Sequence, residues 1–100
     1  MWAEFLFATL KTGCRQRDLD RVISWNDEHH RKAGVQDVRY FLSKDRSQFV
    51  MMVGYSDKKT MRRLKSEWEQ SKAEGETWFR EMMSAVFASG RSAVFSEISA

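Results

Sequence analysis

Residues Trp25-Asn26-Asp27-Glu28-His29-His30 set polar, titratable groups into an apolar helical stripe. At about 100° per residue, Leu19, Val22, Ile23 and Ala33 share one helix face, and Asn26 and His30 fall within that face. A buried amide or imidazole must be hydrogen-bonded, so these two side chains either bond each other and the backbone or point into a pocket. His30 is the inward residue of the histidine pair, and His29 sits at the edge, one turn after Trp25. An imidazole near its ordinary pKa of about 6.5 can take a proton from an acidic organic molecule, with Asn26 orienting the substrate or the ring. Tyr40 and Tyr55 are the candidate donors from the strands, the alternative being amphipathic surface tyrosines.

Other chemistries find less support. Asp27, Glu28, His29 and His30 radiate around the helix and do not converge, so no metal site is expected. There is no haem-attachment motif, Gly-rich phosphate loop, nucleophile elbow or paired-carboxylate motif, and no cofactor is expected. Cys14 stands at a helix start between Gly13 and Arg15, where the helix dipole, Arg15 and Arg17 favour a thiolate, although a lone cysteine there is more often inert.

The elements that position these residues follow from pattern. Trp2 to Lys11 reads as a strand ended by Thr12-Gly13, and a helix runs from about Gln16 to Ala33 with Gly34 as its C-cap glycine. Val35 to Ser43 and Gln48 to Tyr55 read as a hairpin joined by the polar loop Lys44 to Ser47. Ser56 or Asp57 caps a helix carrying Met61, Leu64 and Trp68 on one face and ending by Gly75. Trp78, Phe79, Met82, Met83, Val86 and Phe87 form the stripe of a further helix, stopped by Ser89-Gly90. Arg91 to Ser99 is the last strand, giving βαββααβ across a single domain, 1-100.

This order predicts an α+β, ferredoxin-like, four-stranded antiparallel sheet with helices on one face. The other face also needs cover. Phe49, Met51 and Val53 oppose Val50 and Met52, and Leu6 and Ala8 oppose Phe5 and Phe7, so both sides of these strands are apolar. A homodimer packed through the sheet face is the simplest supply.

The whole chain resembles the dimeric α+β barrel superfamily, closest to its EthD-like and antibiotic-biosynthesis-monooxygenase-like branches. The resemblance rests on the βαββααβ order, the Lys11-Thr12-Gly13 turn and the Trp-x-x-x-His spacing of Trp25 and His29. It implies two sheets packed face to face, with a pocket between each sheet and its own helices. The superfamily includes cofactor-free oxygenases, isomerases and cyclases, so the implied function is a small cofactor-independent enzyme with a helical histidine as base, acting on a small hydrophobic or aromatic molecule. Its competitor is a dimer that binds a small ligand without turnover.

A net charge of +3 from 17 basic and 14 acidic residues is too mild for a dedicated nucleic-acid binder. An RNA-recognition module shares the strand order, but Gln48 to Val53 offers one aromatic and no glycine where stacking platforms are needed. Lys58, Lys59, Arg62, Arg63 and Lys65 read as a solvated face. No run of eighteen apolar residues suggests a membrane span, and Met1-Trp2-Ala3-Glu4 lacks a basic leader segment, which points to the cytoplasm.

Overall fold

The computed structural model describes residues 1–35, 37–73 and 77–98. Its elements are β1 (Trp2–Leu10), α1 (Gln16–Lys32), β2 (Asp37–Leu42), β3 (Gln48–Tyr55), α2 (Lys58–Ala73), α3 (Thr77–Val86) and β4 (Phe87–Ser96). The four strands form one antiparallel sheet in the order β2-β3-β1-β4, the ferredoxin-like plan.

Strand periodicity decides which side chains meet the helices. Ala8 and Phe49 point to the helix layer and are buried with Leu19, Val22 and Val86 on the helices. A second core cluster gathers Val35, Val53, Tyr55, Met61 and Leu64 at the other end of the sheet, under α2. The inward face of α1 thus enters the first cluster through Leu19 and Val22, and its C-cap Ala33 packs against the second.

The ends of α1 are fixed by different devices. Gly34, at φ +94, follows the C-cap Ala33. Its N–H donates to the Arg31 carbonyl at 3.0 Å, and the Val35 N–H donates to the His30 carbonyl at 2.9 Å. This pair of bonds is a Schellman motif, and it fixes the direction of the chain immediately after His30. At the other end Arg15 is the N-cap with no side-chain bond to the helix, and Gly13 supplies a positive φ of +80 in the preceding turn. For α2, the cap is Asp57, whose carboxylate accepts from the Thr60 N–H at 2.7 Å.

Several expectations change. β4 begins at Phe87, so Ser89 and Gly90 lie inside the strand, paired with Thr9 and Ala8, and Phe87 packs against the Phe49 ring at 5.4 Å. Pairing with β1 outweighs the local turn preference of Ser-Gly, and the register shift at Thr9/Leu10 absorbs the abrupt passage from α3 into the strand. Lys65 is not on a wholly solvated face, because its ammonium stands 2.6 Å from the Glu4 carboxylate of β1. β1 and β2 stop at Leu10 and Leu42, short of the predicted Lys11 and Ser43. β4 ends at Ser96, short of the predicted Ser99. The expected helix end at Gly75, residue Ser99 and the side chains of Trp78 and Phe79 lie outside the described residues.

Among the described residues no helix is long and apolar enough to cross a membrane.

Candidate functional site

The inward face of α1 reaches its last two turns at Trp25, Asn26, His29 and His30, and backbone carbonyls four residues back set both imidazoles. His29 Nδ1 lies 2.9 Å from the Trp25 carbonyl, and His30 Nδ1 lies 2.7 Å from the Asn26 carbonyl. A carbonyl oxygen only accepts, so in each neutral ring Nδ1 carries the hydrogen and Nε2 keeps a free lone pair. Stacked rings hold the imidazoles in place. His29 stacks on Trp25 at 3.9 Å between centroids, His30 stacks on Trp68 of α2 at 4.9 Å, and the two indoles meet edge to face at 5.1 Å.

Between the end of α1, α2 and the end of β3 is a cavity of about 240 Å³, walled by His29, His30, Ala33, Val35, Tyr55, Leu64 and Trp68, with Lys32 and Glu67 at its charged margin. His30 is 8% exposed and Tyr55 5%, so the polar atoms of both are inside the protein. Neither His30 Nε2 nor the Tyr55 hydroxyl has a hydrogen-bond partner among the described residues. Burial pushes the His30 imidazole below its ordinary value and the neighbouring His29 adds to the effect, while the Asn26 carbonyl, Glu4 and Asp27 oppose it. The ring is therefore neutral at neutral pH. Burial likewise raises the Tyr55 phenol to about 12, with Glu4 adding to the shift, so it remains a hydrogen-bond donor.

The sequence-predicted residues divide around this cavity. His29, His30 and Tyr55 line it, and Trp25 stands behind His29 as a stacking support. Asn26 serves through its backbone: its carbonyl accepts from His30, whereas its side-chain amide donates to the Val22 carbonyl at 2.8 Å, within its own helix. Tyr40, expected as a pocket donor, is elsewhere. Its inward position on β2 places it against Phe49, and its hydroxyl donates to Asp27 at 3.4 Å, with the phenol raised by burial. Asp27 consequently joins β2 and Arg31.

Trp68, Leu64 and Glu67 of α2 were not legible as neighbours of the histidines. The available signal was the Met61-Leu64-Trp68 spacing, which marks the face of α2 that must oppose another element. Glu4 was also missed, because its partner Lys65 is remote in sequence.

At the opposite end of α1 is a larger polar cavity of about 320 Å³, bordered by Lys11 to Gln16 and by Asp45 to Ser47. Cys14 lies here, and the expected thiolate is not favoured: burial and Asp18 raise its pKa, and Arg46 alone counters them. Among the described residues no group of three or more His, Cys, Asp or Glu side chains could hold a metal ion.

No family model matches the sequence, and no curated protein matches it either. Solved structures match its fold. A NIPSNAP family protein from Agrobacterium tumefaciens is 18% identical with a TM-score of 0.72, covering 97% of this chain and 92% of its own. SnoaB, a cofactor-independent oxygenase from Streptomyces nogalater, is 10% identical at a TM-score of 0.70, covering 99% and 94%. An antibiotic biosynthesis monooxygenase is 13% identical at 0.59, covering 99% and 100%. The chain thus shares the ferredoxin-like α+β fold of these antibiotic-biosynthesis-monooxygenase-like and NIPSNAP proteins. The EthD-like branch is not singled out.

Proposed function

We propose that the protein is a small cofactor-independent enzyme that removes a proton from a small hydrophobic or aromatic organic molecule held in the cavity between α1, α2 and the sheet. One observation carries this reading: His30 is buried and neutral, its Nδ1–H is tied to the Asn26 carbonyl, and its lone-pair nitrogen is unpartnered among the described residues at the wall of an aromatic cavity. In the proposed step the substrate C–H or O–H proton passes to His30 Nε2 and the electron pair stays on the substrate as a delocalised anion. Tyr55 faces that anion as a hydrogen-bond donor, and His29, held by Trp25, covers the margin. Such an anion is the common starting point of oxygenase, isomerase and cyclase chemistry. SnoaB, with the same fold, is a cofactor-independent oxygenase, which supports the first of these.

The test is proton exchange. Aromatic compounds with one acidic C–H are incubated in heavy water, and deuterium incorporation is followed by mass spectrometry with oxygen uptake recorded in parallel. Exchange that depends on His30 supports the enzyme. Binding with no exchange and no chemical change points to the competing role, a dimer that binds a small ligand without turnover.

The proposed working unit is a homodimer in the cytoplasm. On the open sheet face Phe5, Phe7, Phe41, Val50 and Phe95 enclose an entirely apolar concavity of about 540 Å³, with Phe41 and Phe95 about half exposed. Light scattering is expected to give twice the 11.8 kDa chain mass, and Phe7→Glu to return it to one chain. A wild-type protein of one chain mass excludes the dimer.

A further inference from the structure

Next to the histidine cavity is a second cavity of about 250 Å³, bordered on its polar side by Asp37, Ser56 and Thr60. The two share a wall, because Val35, Tyr55 and Leu64 line both. Of these three only Tyr55 has a polar side-chain atom, and that hydroxyl is buried without a partner among the described residues. An unpaired buried hydroxyl is destabilising, and a molecule lying across the wall would satisfy it. Val35 and Leu64 make the rest of the passage apolar.

The far end of the second cavity has its own polar terminus. Asp37 stands on β2 opposite Gly54 of β3. A Cβ at Gly54 would be 2.8 Å from Asp37 Oδ2, so the glycine leaves the space that this carboxylate oxygen occupies. Asp37 Oδ1 accepts from Arg39 Nε at 3.1 Å, while Oδ2 has no donor among the described residues.

We propose that the two cavities form one bipartite site for an elongated molecule. Its ring lies against His30 and Trp68, an alkyl tail passes Tyr55 between Val35 and Leu64, and the tail ends in a hydroxyl or ammonium group that donates to Asp37. This rests on the reading of the histidine cavity as a ligand site and adds the substrate class: ring compounds with an aliphatic tail ending in a hydrogen-bond donor.

Calorimetry at neutral pH with phenol, 4-alkylphenols and 4-(ω-aminoalkyl)phenols of increasing tail length tests the proposal. Affinity is expected to rise with tail length, and at the length that reaches Asp37 the terminal amine binds roughly tenfold tighter than the matched alkyl chain. Asp37→Asn removes that advantage. Thr60→Phe fills the second cavity from a position outside the shared wall, and is expected to weaken the long-tailed probes roughly tenfold while leaving phenol binding unchanged. Retained phenol binding also shows that each variant is folded. If wild type and Thr60→Phe bind the long tails equally, or the amine brings no gain at any length, the second cavity is not part of the site. If phenol itself leaves the imidazole resonances of His29 and His30 unmoved, the reading of the first cavity fails and takes the bipartite site with it.

Discussion

The two ends of α1 border cavities of similar size, about 240 Å³ at the C-terminal end and about 320 Å³ at the N-terminal end, but their polar groups are in opposite states. At the N-terminal end Gln16, Asp45 and Arg46 are exposed and already engaged. Asp45 accepts from the hydroxyls of Ser43 and Ser47, each at 2.7 Å, which holds its carboxyl at about 2, and the Arg46 guanidinium donates to Gln16. At the C-terminal end Lys32 and Glu67 are exposed at the margin, but the side chains of His30 and Tyr55 are buried, and His30 Nε2 and the Tyr55 hydroxyl have no partner among the described residues. Volume alone would favour the polar cavity. The cost of leaving buried polar atoms unpaired favours the histidine cavity, because a ligand there supplies what the fold withholds.

The sharpest way to break this contrast is His30→Ala, which should lower deuterium exchange by a factor on the order of 10² to 10⁴, the range expected for loss of a general base. Cys14→Ser at the other end should leave the rate unchanged. An equal loss in both variants would remove the distinction between the two ends.

The pH dependence gives the second test. Burial lowers the folded-state pKa of His30 below its unfolded value of 6.5, so the unfolded chain binds the proton more readily. His30 therefore contributes stability above pH 6.5 that is lost as the pH falls toward the lower folded-state value. Urea unfolding across this window should show a loss for wild type that is smaller in His30→Gln. The exchange rate should follow the same proton, with an acidic limb whose midpoint lies below 6.5.

Backbone substitutions sharpen the comparison further. Gly34→Ala places a side chain at φ +94 in the Schellman motif behind His30 and is expected to destabilise by about 1 kcal/mol, measured by chemical unfolding. It should also perturb the His30 resonances. Arg46→Gly relieves a non-glycine residue at φ 62 near the polar cavity, and its gain should be at most about 1 kcal/mol, with ligand binding untouched.

Much of this architecture was legible because local signals agreed with the fold. The aromatic and β-branched runs of β1 and β3, the apolar stripe of α1 and Gly34 at its end each marked their own element. The beginning of β4 was hidden, since Ser89-Gly90 has turn chemistry and only pairing with Ala8 and Thr9 overrides it. The inward position of His30 followed from helical geometry, as did the edge position of His29. What helical geometry could not supply was the opposite wall. Trp68 reaches His30 from another helix, Lys65 reaches Glu4 across the layer, and Tyr40 is drawn to Asp27, all through contacts between residues distant in sequence. Asn26 shows a subtler limit: its backbone carbonyl, whose presence carries no residue code, orients the histidine.

The most direct test of the account is a long-range ¹H–¹⁵N NMR titration of the two histidines in the unliganded protein. Both neutral rings are expected to carry their hydrogen on Nδ1, and His30 to titrate below 6.5. A His30 ring protonated on Nε2, or titrating above that value, would contradict its assignment as the base.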